Sequence, residues 1–369
     1  MSGRARARTA RPDEPRTGRE DGRAIGDAPV DTPEGLDARA VEDWFADNVP
    51  EAVGPLRYEL LAGGHSNLTF AVTDARGRRW VLRRPPLAAR LATAHDVGRE
   101  YRAMSALQDT PVPVPPMVGY CADDSVIGQP FFVMGYVEGH VLHDVDAVER
   151  HLPRDARRHA AEHMVDVLAD LHAVDPDAVG LGELGRREGY VERQLRRWAT
   201  QWEHVRTRDL PVVERVHERL IEDVPEQGPA TIVHGDFRFG NTLTTSEGDC
   251  AAVLDWELCT LGDPLADLGW FLHYWELPGE PGGVNETAPT RAGGFPSREE
   301  VVERYAERSG RDLSRLAYYQ AFAAWRLACI IEGVYSRYQR GALGDAPEGL
   351  EAFRRTVERS AERAEQLLG

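Results

Sequence analysis

The chain has 369 residues, 42% of them hydrophobic and 28% charged, which is typical of a globular protein large enough for two domains. Its net charge of −17 argues against a general nucleic-acid binder, and no apolar run approaches the ~18 residues that a membrane span needs. The sequence contains no lysine, and its 44 residues that are either Lys or Arg are therefore all arginine. This excludes the P-loop motif and Schiff-base chemistry, since both require a lysine.

Residues 1–34 are rich in Arg, Pro, Gly and acidic residues and poor in apolar groups, a composition that predicts a disordered tail. The N-terminus has no apolar core of the kind found in secretory signals. The four cysteines are scattered without Cys-x-x-Cys spacing, which predicts reduced, buried thiols in a cytoplasmic protein. They are Cys121, Cys250, Cys259 and Cys329.

Residues 35–137 have the pattern of a small lobe built on a five-stranded antiparallel sheet. A short amphipathic helix is predicted from Leu36 to Asn48, and a second helix is predicted over 94–107, where apolar residues recur at helical spacing. Turn residues such as the Gly-Gly pair at 63–64 separate runs of strand-forming residues. The predicted strands cover 58–62, 67–74, 79–84, 117–120 and 130–137.

Residues 138–369 are predicted to form a larger, mainly helical lobe, which makes the fold α+β and bilobal. Between its helices, Pro278 to Pro296 is a long Gly/Pro-rich loop, and loops of that length are commonly functional or disordered. The predicted helices cover 154–171, 190–205, 212–224, 297–309, 313–339 and 348–368.

The strongest chemical signal is the run His-Gly-Asp-Phe-Arg-Phe-Gly-Asn at 234–241, followed by Leu-Asp-Trp-Glu at 254–257. The residues between them predict two short strands joined by a hairpin, which would bring Asn241 and Asp255 together as hard oxygen ligands for Mg²⁺. Asp236 would stand beside them, able to orient or deprotonate an acceptor hydroxyl. The alternative is a turn in which these side chains only bind local backbone.

These motifs resemble the aminoglycoside phosphotransferase family of protein-kinase-like small-molecule kinases, over about residues 54–340. The run Gly-Asp-Pro-Leu-Ala-Asp-Leu-Gly-Trp at 262–270 adds to the resemblance. The variant looks closest to the branch associated with acyl-CoA dehydrogenases, as Val-Leu-Arg-Arg-Pro-Pro at 81–86 also indicates.

The resemblance implies a role for each motif. Asp236 would be the catalytic aspartate, while Asn241 and Asp255 would hold Mg²⁺ on the phosphates of ATP. Ser66 would belong to the phosphate-covering loop. The other implied nucleotide contacts are Glu100, which pairs with the phosphate-binding cation, and Gly135 and Val137, whose carbonyl and N–H would meet adenine.

One departure concerns the phosphate-contacting residue of the third strand, which is usually lysine in the family. Here Arg83 fits that register, and strand alternation places its neighbour Arg84 on the opposite face of the sheet. Arginine stays charged and can bind phosphate bidentately, so the task is feasible, but the two side chains are not equivalent. A catalytically weak or inactive nucleotide-binding protein is therefore the alternative to an active kinase.

The expected reaction is transfer of the γ-phosphoryl group of ATP to a hydroxyl of a small molecule, either hydroxyacyl-CoA-like or aminoglycoside-like. Arginines between 186 and 197 could serve a CoA phosphate or form a solvated helix face. A metal-dependent hydrolase using His234, Asp236 and Asp255 is a further alternative. No nucleic-acid or membrane partner is expected, and the protein would be a monomer or homodimer.

Overall fold

The computed structural model describes residues 33–62, 67–86, 96–280, 288–342 and 349–369. The predicted tail therefore lies almost wholly outside the described residues, as does Ser66 with the Gly-rich turn around it. In the described part of the chain, no helix is long and apolar enough to cross a membrane.

The small lobe contains the predicted five-stranded antiparallel sheet, with strand order β1-β2-β3-β5-β4. Helix α1 packs Val41 and Phe45 against one face of this sheet, in a small hydrophobic core of its own. Helix α2 lies on the other face and begins after its capping residue Asp96, whose carboxylate accepts from the Arg99 N–H. The elements are α1 (Ala38–Asn48), β1 (Arg57–Ala62), β2 (Leu68–Thr73), β3 (Arg79–Arg84), α2 (Val97–Leu107), β4 (Met117–Cys121) and β5 (Phe131–Gly135).

The large lobe is mainly helical, as predicted, with four short strands near the junction between the lobes. Strand β6 (Thr231–Val233) pairs with β9 (Thr260–Gly262), and β7 (Thr242–Thr244) forms the predicted hairpin with β8 (Cys250–Val253). Helix α5 has its predicted bounds, and α9 begins at Leu316 where the prediction began at 313. Helix α3 was not predicted. The helices are α3 (Val145–His151), α4 (Arg157–Ala173), α5 (Tyr190–Val205), α6 (Pro211–Glu222), α7 (Pro264–His273), α8 (Arg298–Ser309), α9 (Leu316–Gln339) and α10 (Leu350–Leu368).

Helices α7 and α9 form the centre of the large-lobe core. Gly269 allows their close approach, because a Cβ at this position would lie 2.6 Å from the Tyr319 carbonyl oxygen. The predicted burial of the cysteines is confirmed. Tryptophans are also buried in this lobe, namely Trp198, Trp202, Trp256, Trp270, Trp275 and Trp325.

Several contacts among the described residues join the lobes, and two of them involve helix α2 and the linker that follows β5. The guanidinium of Arg99, on α2, donates to the Cys259 carbonyl (2.6 and 2.9 Å) and to the Leu184 carbonyl (2.6 Å) in the large lobe. On the linker side, His140 and Thr244 exchange backbone hydrogen bonds of 2.8 and 2.9 Å. The linker is thereby tied to the β7–β8 hairpin, so the hairpin lies at the junction of the two lobes.

Candidate active site

The loop that follows β6 is held in place by a buried carboxylate on α7. Asp267 accepts hydrogen bonds from the N–H groups of His234 (2.6 Å) and Gly235 (2.9 Å). Burial opposes its charge, but hydrogen bonds from the His172 side chain and the Gly235 backbone outweigh burial and hold the pKa of Asp267 below its usual range. Asp267 therefore remains an anion inside the core and fixes the start of the loop.

Both ring nitrogens of His234 form hydrogen bonds with nearby backbone groups. Its Nε2 lies 2.9 Å from the Leu254 carbonyl oxygen, and its Nδ1 accepts from the Asp236 N–H at 3.2 Å. The donor and the acceptor fix one neutral tautomer, with the proton on Nε2. Neither nitrogen is left to bind a metal, which removes the basis of the hydrolase interpretation.

The carboxylate of Asp236 sits in a ring of donors. The Trp270 indole N–H donates to it at 2.6 Å, and the Asn241 amide donates at 2.6 Å to its other oxygen. The Arg238 guanidinium lies 3.3 Å away and also stacks over the Tyr274 ring. Asp236 keeps about a fifth of its side chain exposed, so the carboxylate is positioned firmly and still faces the cleft.

Asn241 is joined to the strand that precedes Asp255. Its side-chain amide also donates to the Asp236 carbonyl at 2.8 Å, and its own carbonyl accepts from the Leu254 N–H at 2.8 Å. Thr242 and Val253, the next residues on the two strands, are directly paired in the hairpin register. The predicted neighbourhood of Asp236, Asn241 and Asp255 is therefore present, with the Asn241 amide nitrogen turned to Asp236 and its oxygen left for other ligands.

Asp255 stands at a strained position. Its φ of 63° makes it the one residue other than glycine with positive φ in the described part of the chain, a conformation that costs a non-glycine residue roughly 1–3 kcal/mol. Its carboxylate lies within 4.8 Å of those of Glu100 and Glu257. Glu257 therefore belongs to the same cluster of carboxylates. These hard oxygen donors suit a divalent cation such as Mg²⁺.

Arg83 lies between the two lobes and contacts both. Its guanidinium is 2.9 Å from Glu100 on α2 and 2.5 Å from Asp255 at the end of β8, with Thr69 Oγ1 at 3.4 Å. The neighbouring Arg84 points to the other face of the sheet, where it donates to the Gly35 and Ile127 carbonyls, so the predicted alternation is confirmed. The predicted pairing of Arg83 with Glu100 is also present.

Charge in this cluster is not balanced by Arg83 alone. Burial, together with the nearby Asp255 and Glu257 carboxylates, outweighs the attraction of Arg83 and raises the pKa of Glu100 to about 7. For Arg83, the attraction of Glu100, Asp255 and Glu257 outweighs burial and raises the pKa of its guanidinium. Three carboxylates therefore lie around one arginine, and their oxygens are grouped closely enough to serve as ligands of a cation.

The end of β5 presents backbone groups to the cleft. The Gly135 N–H donates to the Pro116 carbonyl at 2.7 Å, but proline has no N–H with which to return a hydrogen bond to the Gly135 carbonyl. The Tyr136 N–H points the other way, to the Arg79 carbonyl at 3.4 Å. Val137 lies two residues beyond the end of β5, and its contact with adenine stays a prediction.

A cavity of about 210 Å³ adjoins the loop on the side of Arg238 and Tyr274. Its walls are mostly aromatic, and its basic side chains are one guanidinium and one imidazole. The lining residues are His143, Arg238, Phe239, Gly240, Phe271, Tyr274, Trp275 and Pro289. The cavity is large enough for a small molecule, and one of its lining residues, Arg238, lies 3.3 Å from the Asp236 carboxylate.

Sequence reasoning missed three contributors to this site. Trp270 is buried, and its indole N–H donates to the Asp236 carboxylate. Arg326 on α9 donates to the Gly235 carbonyl at 2.9 Å and lies over the Trp270 ring at 4.2 Å. Arg238 lay in the motif itself, where a cation two residues from a catalytic carboxylate was a signal that could have been used.

The arginines between 186 and 197 behave largely as a helix surface. Arg187 pairs with Asp177 at 2.5 Å, and Arg193 donates to the Arg186 and Glu188 carbonyls. These local contacts favour the solvated-face interpretation over a CoA phosphate site.

Comparison with known proteins gives consistent matches. The model of the phosphotransferase enzyme family matches residues 57–319. A Ralstonia eutropha protein of known structure, provisionally described as an aminoglycoside phosphotransferase, is 32% identical, with a TM-score of 0.76, and the match covers 90% of this chain and 99% of that one.

Two further matches differ in kind. Mouse acyl-CoA dehydrogenase family member 10 is 35% identical over 300 residues, which are 80% of this chain but only 28% of the mouse protein. A thermostable mutant of an aminoglycoside phosphotransferase, crystallised with AMP-PNP and hygromycin B, has a TM-score of 0.55 at 18% identity, covering 90% of this chain and 98% of that one. The latter similarity concerns the fold.

Proposed function

The chain belongs to the phosphotransferase enzyme family, and from this premise we propose that it transfers the γ-phosphoryl group of ATP to a hydroxyl of a small molecule. The observation that carries the proposal is the hydrogen-bonded set of Asp236 and Asn241 next to Asp255, facing the Arg83–Glu100 ion pair of the small lobe. Phosphoryl transfer depends on positioning and charge neutralisation, and these side chains supply both.

In this proposal residues 35–137 bind the nucleotide, and residues 138–369 carry the catalytic loop and the acceptor site. The Gly135 carbonyl and the Val137 N–H would meet the adenine edge, and Arg83 would bind phosphate oxygens with its fork of N–H donors. AMP-PNP, an ATP analogue, is bound by one of the phosphotransferases that share the fold, which supports a nucleoside triphosphate as donor.

Asp236 would receive the acceptor hydroxyl. Its carboxylate is held by the Trp270 indole and the Asn241 amide, so one lone pair can orient the hydroxyl and accept its proton late in the transfer. Asn241 and Asp255, with Glu257 close by, would hold Mg²⁺, which neutralises charge on the phosphates.

The acceptor cavity favours a hydroxy compound that is neutral or anionic. Its lining includes Arg238 and His143 and otherwise aromatic or small residues, so it offers a polycation no counter-charge among the residues that line it. A hydroxyacyl compound, which the name of the mouse relative suggests, matches this lining better than an aminoglycoside does.

The test is to incubate the purified protein with Mg-ATP and panels of hydroxyacyl-CoAs, free hydroxy acids, simple alcohols and aminoglycosides. Mass spectrometry should find one added phosphate on a hydroxyacyl compound or hydroxy acid. Asp236→Ala should abolish turnover while leaving nucleotide affinity nearly intact, as measured by isothermal titration. Equal loss of both would argue against the role given to Asp236, and phosphorylation of aminoglycosides alone would argue against the proposed acceptor class.

A nucleotide-binding protein without catalysis is the second candidate, and one contact favours it. Arg83 replaces the usual lysine and pairs at 2.5 Å with Asp255, a carboxylate needed for the metal. This candidate predicts ATP binding without phosphotransfer to any acceptor in the panels, even at long incubation times.

A further inference from the structure

A second group of metal-binding side chains lies outside the cleft, at the tip of the β7–β8 hairpin. His159 and His163 are one turn apart on α4, and Asp249 comes from the turn of the hairpin. The His159 Nε2 is 2.7 Å from a carboxylate oxygen of Asp249, and the His163 Nδ1 is 3.4 Å from the same oxygen. One ligand atom from each residue lies within 4.8 Å of the other two.

Packing holds this group together before any ligand arrives. Gly248 rests directly on α4, because a Cβ at this position would approach the Ala156 carbonyl oxygen to 2.7 Å. The Cys250 N–H donates to the His163 Nδ1 at 3.0 Å, which orients that imidazole towards the turn.

We propose that His159, His163 and Asp249 form a Zn²⁺ site. Two imidazoles and one carboxylate are a donor set suited to Zn²⁺, whereas Mg²⁺ and Ca²⁺ prefer oxygen donors alone. Tetrahedral Zn²⁺, with bonds of about 2.0–2.1 Å, places its ligand atoms roughly 3.3–3.4 Å apart, which matches the His163–Asp249 separation.

Binding requires small local changes only. The shorter His159–Asp249 contact opens slightly when the shared proton leaves, and the His163 Nδ1 exchanges its hydrogen bond from the Cys250 N–H for the metal. Because His159 and Asp249 are both about half exposed, an ion can enter from solvent and keep water at its fourth position.

An ion at this place would fasten α4 to the turn that joins the two strands of the hairpin. Those strands adjoin Asn241 and Asp255, so the ion would stiffen the hairpin from the end opposite the cleft. The inference rests on these surface residues and does not depend on phosphotransfer.

The experiment is a titration of the full chain, without a histidine tag, first with Co²⁺ and then with Zn²⁺. We expect the visible absorption of tetrahedral Co²⁺, its bleaching by one equivalent of Zn²⁺, and a higher thermal midpoint with Zn²⁺. His159→Ala and Asp249→Asn should each lower Zn²⁺ affinity by at least about 10- to 100-fold. That is the loss typical of mutating a residue that only hydrogen-bonds a metal ligand, and loss of a ligand itself should cost no less. Circular dichroism checks that each variant is folded.

Two controls make the result specific. His204→Ala removes an exposed histidine from another helix, α5, and should leave the Co²⁺ spectrum unchanged. Asp255→Asn removes a carboxylate of the cleft and should also leave the spectrum unchanged. Absence of the tetrahedral spectrum, or undiminished Zn²⁺ binding by the double variant His159→Ala/Asp249→Asn, would overturn the proposal.

Discussion

Substitution of Asp267 by alanine tests whether the catalytic loop depends on one buried anion. The change leaves the N–H groups of His234 and Gly235 without their acceptor, in a region that solvent does not reach. A buried donor left unpaired costs about 1–3 kcal/mol, so the two together should lower the free energy of unfolding by about 2–6 kcal/mol. That loss is a large share of the 5–15 kcal/mol typical of folded proteins.

Urea denaturation followed by tryptophan fluorescence measures the loss. Asp267→Asn should cost less, because the amide keeps one oxygen that can accept one of the two N–H groups. Asp109→Ala is the matched control, since Asp109 is exposed, and it should change the free energy by less than about 0.5 kcal/mol. If Asp267→Ala stayed within about 1 kcal/mol of the parent protein, the loop would be held mainly by other contacts.

The other predictions concern the ring of donors, the cation of the third strand and a buried histidine. Trp270→Phe removes a hydrogen bond to the Asp236 carboxylate, worth about 1.5–3 kcal/mol, so kcat should fall about 10- to 100-fold in steady-state assays with the KM for ATP unchanged; a raised KM with normal kcat would contradict this. Arg83→Lys should retain measurable activity if the position supplies only charge, whereas Arg83→Met, which leaves Glu100 and Asp255 without their counter-ion, should be inactive; an inactive lysine variant would mean that the guanidinium fork is required. Burial and two nearby arginines lower the pKa of His273 from 6.5 to about 4 in the folded protein. Between these two pH values the unfolded chain binds a proton at His273 and the folded chain does not, so the free energy of unfolding decreases as the pH falls from about 6.5 to 4. In denaturation experiments, the free energy of unfolding of His273→Phe should fall by about 2–3 kcal/mol less than that of the parent protein between pH 7.5 and pH 4.5. An unchanged pH dependence would refute the assignment to His273.

The sequence predicted elements best where the hydrophobic period was long and regular. Helix α5 has its predicted bounds, and the strands of the small lobe match within a few residues. Helix α3 has only seven residues, and strands β6 and β9 have three each, so their patterns are too short to distinguish from loop. These three elements owe their regular structure to neighbours that are distant in the sequence.

In the candidate site, too, a pairing between residues close in the sequence was predicted, whereas contacts between distant residues were not. The pairing of Asn241 with the strand before Asp255 is local, because a hairpin of about a dozen residues connects them, and the sequence predicted it. The Trp270 contact with Asp236 spans 34 residues and depends on how α7 packs beneath the loop. Arg326 reaches the Gly235 carbonyl across 91 residues. Contacts of this range follow from the packing of helices, for which the sequence carries no short signal.

Helix α2 is held in place by contacts of two neighbouring residues, Arg99 and Glu100. Arg99 fastens the helix to two carbonyls of the large lobe, and the next residue, Glu100, holds Arg83. Moving α2 outward would break the hydrogen bonds of Arg99 and leave Glu100, a buried carboxylate, without its cation. These two neighbouring residues therefore tie the position of the helix both to the large lobe and to strand β3.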